Sequence, residues 1–190
     1  MRVRPRRAAD GLHGAVADRL TGVLLVGGAS KRFGSPKALA RIDGRTLAEI
    51  GWEKLAFCDQ RIAVGKVADG LDLPFPVLDD GTETRAPIAG VVAGLRAAAN
   101  DVCVILPVDT PRVEAAALGE LAAACADAAV PESGPLPGAY RRSALPTLER
   151  GLAAGELTLH QALDALDTRI VRIDASQLAN VNTPDDLASL

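Results

Sequence analysis

Two adjacent glycines and three basic residues follow a short apolar run in LLVGGASKRFGSPKAL, which occupies positions 24–39. Glycine lets a chain turn sharply and approach a ligand, because no Cβ stands in the way. Successive amides in such a turn can converge on an anion. Arg32 can fork two donors onto phosphate oxygens, and Lys37 can add a mobile point charge. Gly27, Gly28, Arg32 and Lys37 therefore offer what a polyphosphate needs. Two familiar phosphate loops are excluded. Arg32 and Phe33 stand where a Walker loop needs glycine and lysine, and the glycines are adjacent where a dinucleotide loop needs GxGxxG. On residue types alone, a strand-to-loop turn with solvated basic residues accounts for the stretch equally well.

Asp109 ends the run VCVILPVD, where a buried strand should emerge. A carboxylate is a hard oxygen ligand suited to Mg²⁺, which also binds substrate phosphates. The other reading of Asp109 is a helix-start residue ahead of TPRVEAAALGEL. Asp79 and Asp80 follow the apolar run FPVL, as site acids or as a solvated turn. Asn180 and Asn182 are suited to holding metal-bound water or shaping a phosphate pocket, and equally to capping a loop. The small residues from Pro87 to Gly90 can lie against a base or ribose, or simply start a helix. His13 and His160 have no catalytic setting, Trp52 and Tyr140 read as packing residues, and the YRRS cluster is either a basic contact or a solvated helix start.

These stations need a scaffold. GVLLV, RIAVG, FPVL, VCVIL and TRIVRI are short and rich in β-branched residues, and read as strands. Ile88, Val91, Val92 and Leu95 fit one helix face; Leu118, Leu121, Ala122 and Cys125 fit another, and Leu159, Ala162, Leu163 and Leu166 a third. A further helix is placed near Leu47–Phe57. In TPDDL, Thr183 is a helix N-cap and Pro184 the first helical residue. PESGPLPGAYRR reads as an excursion beside the sheet. Alternating strands and helices predict an α/β sheet with helices on both faces and ligands at the carboxyl ends of the strands.

The whole chain of 190 residues is 48% hydrophobic and 3% aromatic, with net charge -3. One domain is expected over 21–190, preceded by a flexible extension at 1–20. The acidic balance argues against nucleic acid as partner. No apolar run is long enough to cross a membrane, and the basic N-terminus lacks the apolar core of a secretory signal. Cys58, Cys103 and Cys125 form no paired motif and imply a cytoplasmic setting.

The pattern LxGGxSxRxGxxK, carried by Leu25, Gly27, Gly28, Ser30, Arg32, Gly34 and Lys37, resembles the signature loop of the nucleotidyltransferases that include molybdenum cofactor guanylyltransferase. APIAG, LPVDTPRV and NVNTPDDL resemble further stations of that family in the same order, with Ala86 where the family has glycine. The resemblance runs through most of 21–190. It implies a Rossmann-like, three-layer α/β nucleotidyltransferase domain with a mostly parallel central sheet. It also implies Mg²⁺-dependent transfer of GMP from GTP to the phosphate of molybdopterin cofactor, with release of pyrophosphate. Val26-Gly27-Gly28 resembles the GTP-using form more than the CMP-transferring one. The resemblance makes Asp109 the metal ligand and Arg32, Lys37 and Asp109 the catalytic residues. It adds Leu25, Gly27, Gly28, Ser30, Asp79, Pro87 and Gly90 to the nucleotide site, with Asp80, Asn180 and Asn182 as further candidates and Asp79 as the better spacing match of the two acids. Transient contact with cofactor-insertion or acceptor enzymes is expected. The rival readings are a CMP transferase on the same cofactor, a transferase with another phosphorylated acceptor, and a non-catalytic nucleotide- or cofactor-binding accessory protein.

Overall fold

The computed structural model describes residues 19–27, 36–156 and 158–189. In chain order the strands are β1 (Leu20–Leu25), β2 (Arg41–Ile42), β3 (Arg45–Thr46), β4 (Gln60–Gly65), β5 (Val77–Asp79), β6 (Val102–Pro107), β7 (Ala128–Pro131), β8 (Gly138–Arg141) and β9 (Thr168–Val171). The helices are α1 (Leu47–Lys54), α2 (Pro87–Ala97), α3 (Ala115–Ala124), α4 (Leu145–Ala153), α5 (Leu159–Leu163) and α6 (Pro184–Ala188). Seven strands form one sheet in the order β5-β4-β1-β6-β8-β7-β9, and β2 pairs with β3 in a separate hairpin. Among the described strands of the large sheet, only β8 runs against its neighbours.

Strand alternation builds the layers. Val23 and Leu25 of β1 point to one face and pack with Ile88, Val91 and Leu95 of α2. Leu24 and Val26 point to the other, among Leu47 of α1 and Leu118 and Leu121 of α3. The central strands are buried on both sides, which is why VCVIL shows no polar alternation. Two glycines let helices dock closely. A Cβ on Gly94 would lie 2.6 Å from Val23, and one on Gly51 would lie 2.6 Å from Leu24.

The expected α/β sheet with helices on both faces is present, and the five anticipated strands appear as β1, β4, β5, β6 and β9. The Thr183 cap is also present as a capping box with Asp186. Several elements differ. PESGPLPGAYRR is no excursion throughout, because β8 inserts its second half into the sheet between β6 and β7. Tyr140 is fully buried there and donates to the Pro135 carbonyl at 2.7 Å. Arg141 pairs with Asp101 at 2.5 Å beside the start of β6, so this basic cluster sits at the opposite end of the sheet from Asp109. The α5 stripe stops before Leu166. Cys58, Cys103 and Cys125 are buried free thiols, and burial pushes the first two to about 12 and the third to about 11.

β1 has β4 on one side and β6 on the other. The chain therefore leaves β1 toward one edge and later returns to add strands toward the opposite edge. Such a reversal opens a crevice at the carboxyl ends of the strands, where α/β sheets bind ligands.

Candidate active site

A cavity of about 320 Å³ occupies that crevice. It lies within the usual range for small-molecule sites. Of the residues singled out from sequence, Leu25, Gly27, Lys37, Asp80, Pro87, Gly90 and Asp109 line it. Each comes from a different local device. Leu25 and Gly27 end β1, and the Val108 amide donates to the Leu25 carbonyl at 3.1 Å, which fixes the tail of β6 beside β1. A Cβ on Gly27 would lie 3.3 Å from the Cα of Gly65 at the end of β4, so this glycine permits a close backbone approach. Pro87 opens α2, and Gly90 seats the helix on β1, since a Cβ there would come within 2.9 Å of Leu25. Ala86, which stands in place of the family's glycine, has φ -130° and ψ 147°. That is ordinary extended backbone, and alanine adopts it without strain.

Lys37 begins the 3₁₀ turn Lys37–Leu39 and reaches across the crevice. Its Nζ donates to Asp109 Oδ2 at 3.3 Å and to Asn182 Oδ1 at 3.1 Å. Three segments distant in sequence thus meet at one ammonium. The Val181 amide donates to the Asp109 carbonyl at 2.8 Å and ties the C-terminal segment to the end of β6. Asp186 then accepts from the amides of Asn182 and Thr183, both at 2.8 Å, and these bonds hold its carboxyl below the usual carboxylate range. Asp109 Oδ1 meets no donor among the described residues.

The second half of the cavity was not evident from sequence. Lys66 follows β4 and Asp80 follows β5; their side chains meet at 2.5 Å and are only 10% and 9% exposed. Lys66 also donates to the Thr82 carbonyl. Arg85 lines the cavity as well and makes a two-pronged contact with Asp69, at 2.7 and 3.1 Å. A lysine just beyond a strand end was the available signal for Lys66; its partner depends on how β4 and β5 pair.

Asp79 is not among the cavity-lining residues. Its carboxylate accepts from the amides of Val67 and Gly81, each at 2.8 Å, and these bonds lower its pKa. It buttresses the turn while Asp80 faces inward. Asn182 touches the site through Lys37, and Asn180 is exposed. Gly28, Ser30, Arg32 and Gly34 lie outside the described residues.

The family model described as the MobA-like NTP transferase domain matches residues 22–170. A protein named "Probable molybdenum cofactor guanylyltransferase" from Deinococcus radiodurans is 37% identical over 186 residues, covering 90% of this chain and 93% of that one. One of the same name from Chloroflexus aggregans is 33% identical over 190 residues, covering 88% and 91%. Among solved structures, molybdopterin-guanine dinucleotide biosynthesis protein A from Archaeoglobus fulgidus superimposes with a TM-score of 0.76 at 28% identity, covering 89% and 95%. A 2-C-methyl-D-erythritol 4-phosphate cytidylyltransferase from Thermus thermophilus, at 21% identity and TM-score 0.69, shares the fold over 88% and 95% of the two chains. Matching sequence and fold together identify the chain as a member of the MobA-like NTP transferase domain family.

Proposed function

We propose that the chain transfers GMP from GTP to the phosphate of molybdopterin cofactor and releases pyrophosphate. The supporting observation is the Lys37–Asp109 contact, which joins the end of the glycine loop to the end of β6 within one cavity. The names of the relatives support guanylyl transfer and its acceptor. An oxygen of the acceptor phosphate attacks the α-phosphorus of GTP; the bond from the α-phosphorus to its bridging oxygen breaks, and that oxygen leaves with pyrophosphate. A phosphate monoester has a second pKa of about 6, so the nucleophile is already anionic and needs no general base. Catalysis then rests on positioning and charge neutralisation.

Asp109 would supply the oxygen for Mg²⁺. Oδ1, which meets no donor among the described residues, fits that role, and a single carboxylate suits an ion that keeps its waters and binds substrate phosphates. No cluster of three or more His, Cys, Asp or Glu residues occurs among the described residues, so Asp109 would hold the ion as a single carboxylate. When bound, Mg²⁺ withdraws charge from the phosphate oxygens. Lys37 turns its ammonium toward the polyphosphate, with Asn182 steadying it. Arg32 and the Gly27–Gly28 amides take up charge on the α-phosphate and leaving group. Gly28, Ser30, Leu25, Pro87, Gly90 and Asp80 shape the nucleotide site. The three buried thiols suit a reducing cytoplasm; no helix among the described residues is long and apolar enough to cross a membrane.

The test is pyrophosphate release from GTP, CTP, ATP and UTP, with and without molybdopterin cofactor, first with Mg²⁺ and then with a chelator. GTP with cofactor and Mg²⁺ should give release well above every other combination. Preference for CTP would reassign the base, and nucleotide binding without release would make the chain an accessory protein.

A further inference from the structure

The Lys66–Asp80 pair has an arrangement that a plain structural ion pair does not require. Lys66 spends its ammonium on protein acceptors: Asp80 Oδ1 at 2.5 Å, the Thr82 carbonyl, and Thr82 Oγ1 at 3.5 Å. Asp80 Oδ1 also accepts from the Thr82 amide at 3.1 Å. Both protein bonds to this carboxylate thus fall on one oxygen. Oδ2 meets no donor among the described residues, although the side chain is only 9% exposed and lines the cavity. The carboxylate is therefore held in one orientation, with an anionic acceptor left for whatever fills the space.

Place in the sheet says which part of a nucleotide that is. Asp80 follows β5 and Asp109 follows β6, and the sheet order puts β4 and β1 between them. Three interstrand steps span about 14 Å at the usual spacing. With the polyphosphate held at Lys37 and Asp109, the nucleoside half extends toward Asp80. We infer that Lys66 is a positioning residue for nucleotide recognition: it clamps Asp80 so that one carboxylate oxygen is presented to hydrogen-bond donors on the nucleoside. This rests on the reading of the cavity as a nucleotide site. Lys66 touches no reacting atom, so its effect falls on binding.

The experiment compares the full chain with Lys66→Met, Asp80→Asn and the double variant. It measures GTP Kd by calorimetry, and KM and kcat by pyrophosphate release, well below each melting midpoint. Lys66→Met and Asp80→Asn should each weaken GTP binding about tenfold, as expected for loss of one charged hydrogen bond, with kcat within about threefold. The double variant should bind like Asp80→Asn alone, because the two residues act through one contact. If Lys66→Met proves unfolded, the double variant and Lys66→Gln replace it, since the first buries no unpaired charge and the second keeps a donor for Thr82. Unchanged GTP affinity in the folded Lys66 variants, while Asp80→Asn is weakened, overturns the positioning role and leaves the nucleotide site standing. Unchanged affinity in Asp80→Asn overturns the inference at its root, as does a wild-type chain that binds no GTP. A wild-type chain that binds GTP without turnover defeats the transferase reading alone, and the Kd comparison still decides the role of Lys66.

Discussion

Lys37 and Asp109 meet at 3.3 Å with side chains 16% and 27% exposed, whereas Lys66 and Asp80 meet at 2.5 Å with 10% and 9% exposed. Both pairs border the same cavity. At the β1–β6 end, the ammonium is shared between Asp109 and Asn182, and one oxygen of the carboxylate meets no donor among the described residues. At the β4–β5 end, the ammonium is committed to Asp80 and to Thr82. The same two residue types thus serve opposite ends. At the first end the ammonium divides its bonds between two side chains on different segments. At the second end it is bonded to the neighbouring carboxylate and to Thr82, with the lower exposure of the two. Preorganisation costs least when it is divided in this way, because only the groups that follow the reaction remain adjustable.

Four substitutions test that contrast, beginning with the largest effect. Asp109→Ala should lower kcat roughly a thousandfold, because charge neutralisation at the α-phosphate is lost. Its far-UV circular dichroism and urea midpoint should match the parent, and parental turnover would remove Asp109 from the chemistry. Lys66→Met should do the reverse and act on stability. It strands a buried carboxylate, which typically costs about 3 kcal/mol. Urea unfolding measures this, and an unchanged midpoint would show that the pair is not locked. Lys37→Ala should reduce kcat about a hundredfold, with a smaller change in GTP affinity and little change in melting temperature. A drop in stability as large as that of Lys66→Met would erase the distinction between the two ends.

Asp186→Ala is the mildest. It removes the acceptor that holds the Asn182 amide, so GTP KM should rise by no more than about threefold at neutral pH. The sign of its pH dependence follows from the lowered carboxyl. A carboxylate held below its ordinary value of 3.8 stabilises the fold above that value and loses its contribution as pH falls through the lower, folded value. Parent and variant should therefore converge in urea midpoint at acid pH and separate as pH rises. Separation that grows toward acid would contradict the assignment.

The buried run VCVIL, the Thr183-Pro184 helix start and the apolar run that ends at the paired glycines carry local signals strong enough to place β6, α6 and β1. The hairpin of β2 and β3 was legible in principle, since Asp43-Gly44 has positive φ at both residues, 49° and 81°. β8 was not legible. Its four residues, GAYR, are too short and mixed for a period, and their strand character comes from pairing with β6 and β7. The choice between Asp79 and Asp80 was equally inaccessible. Successive strand residues face opposite ways, and the register that sets Gly65 beside Asp79 is a tertiary fact. Lys66 was missed for the same reason, because its partner lies 14 residues away across that pairing.

The reversed direction of β8 has a consequence for how the protein can be retooled. β1, β4 and β6 deliver their last residues to the rim of the cavity, and β5 the residue just past its end, so altering those tails also disturbs the sheet behind them. Beside β6, the chain instead arrives at that rim through the connection between β7 and β8, and Leu136 of this connection forms part of the cavity wall. A connection can change length and composition more freely than a strand tail. That flank of the cleft is the place where a new acceptor could be accommodated while the grip on the triphosphate is inherited unchanged.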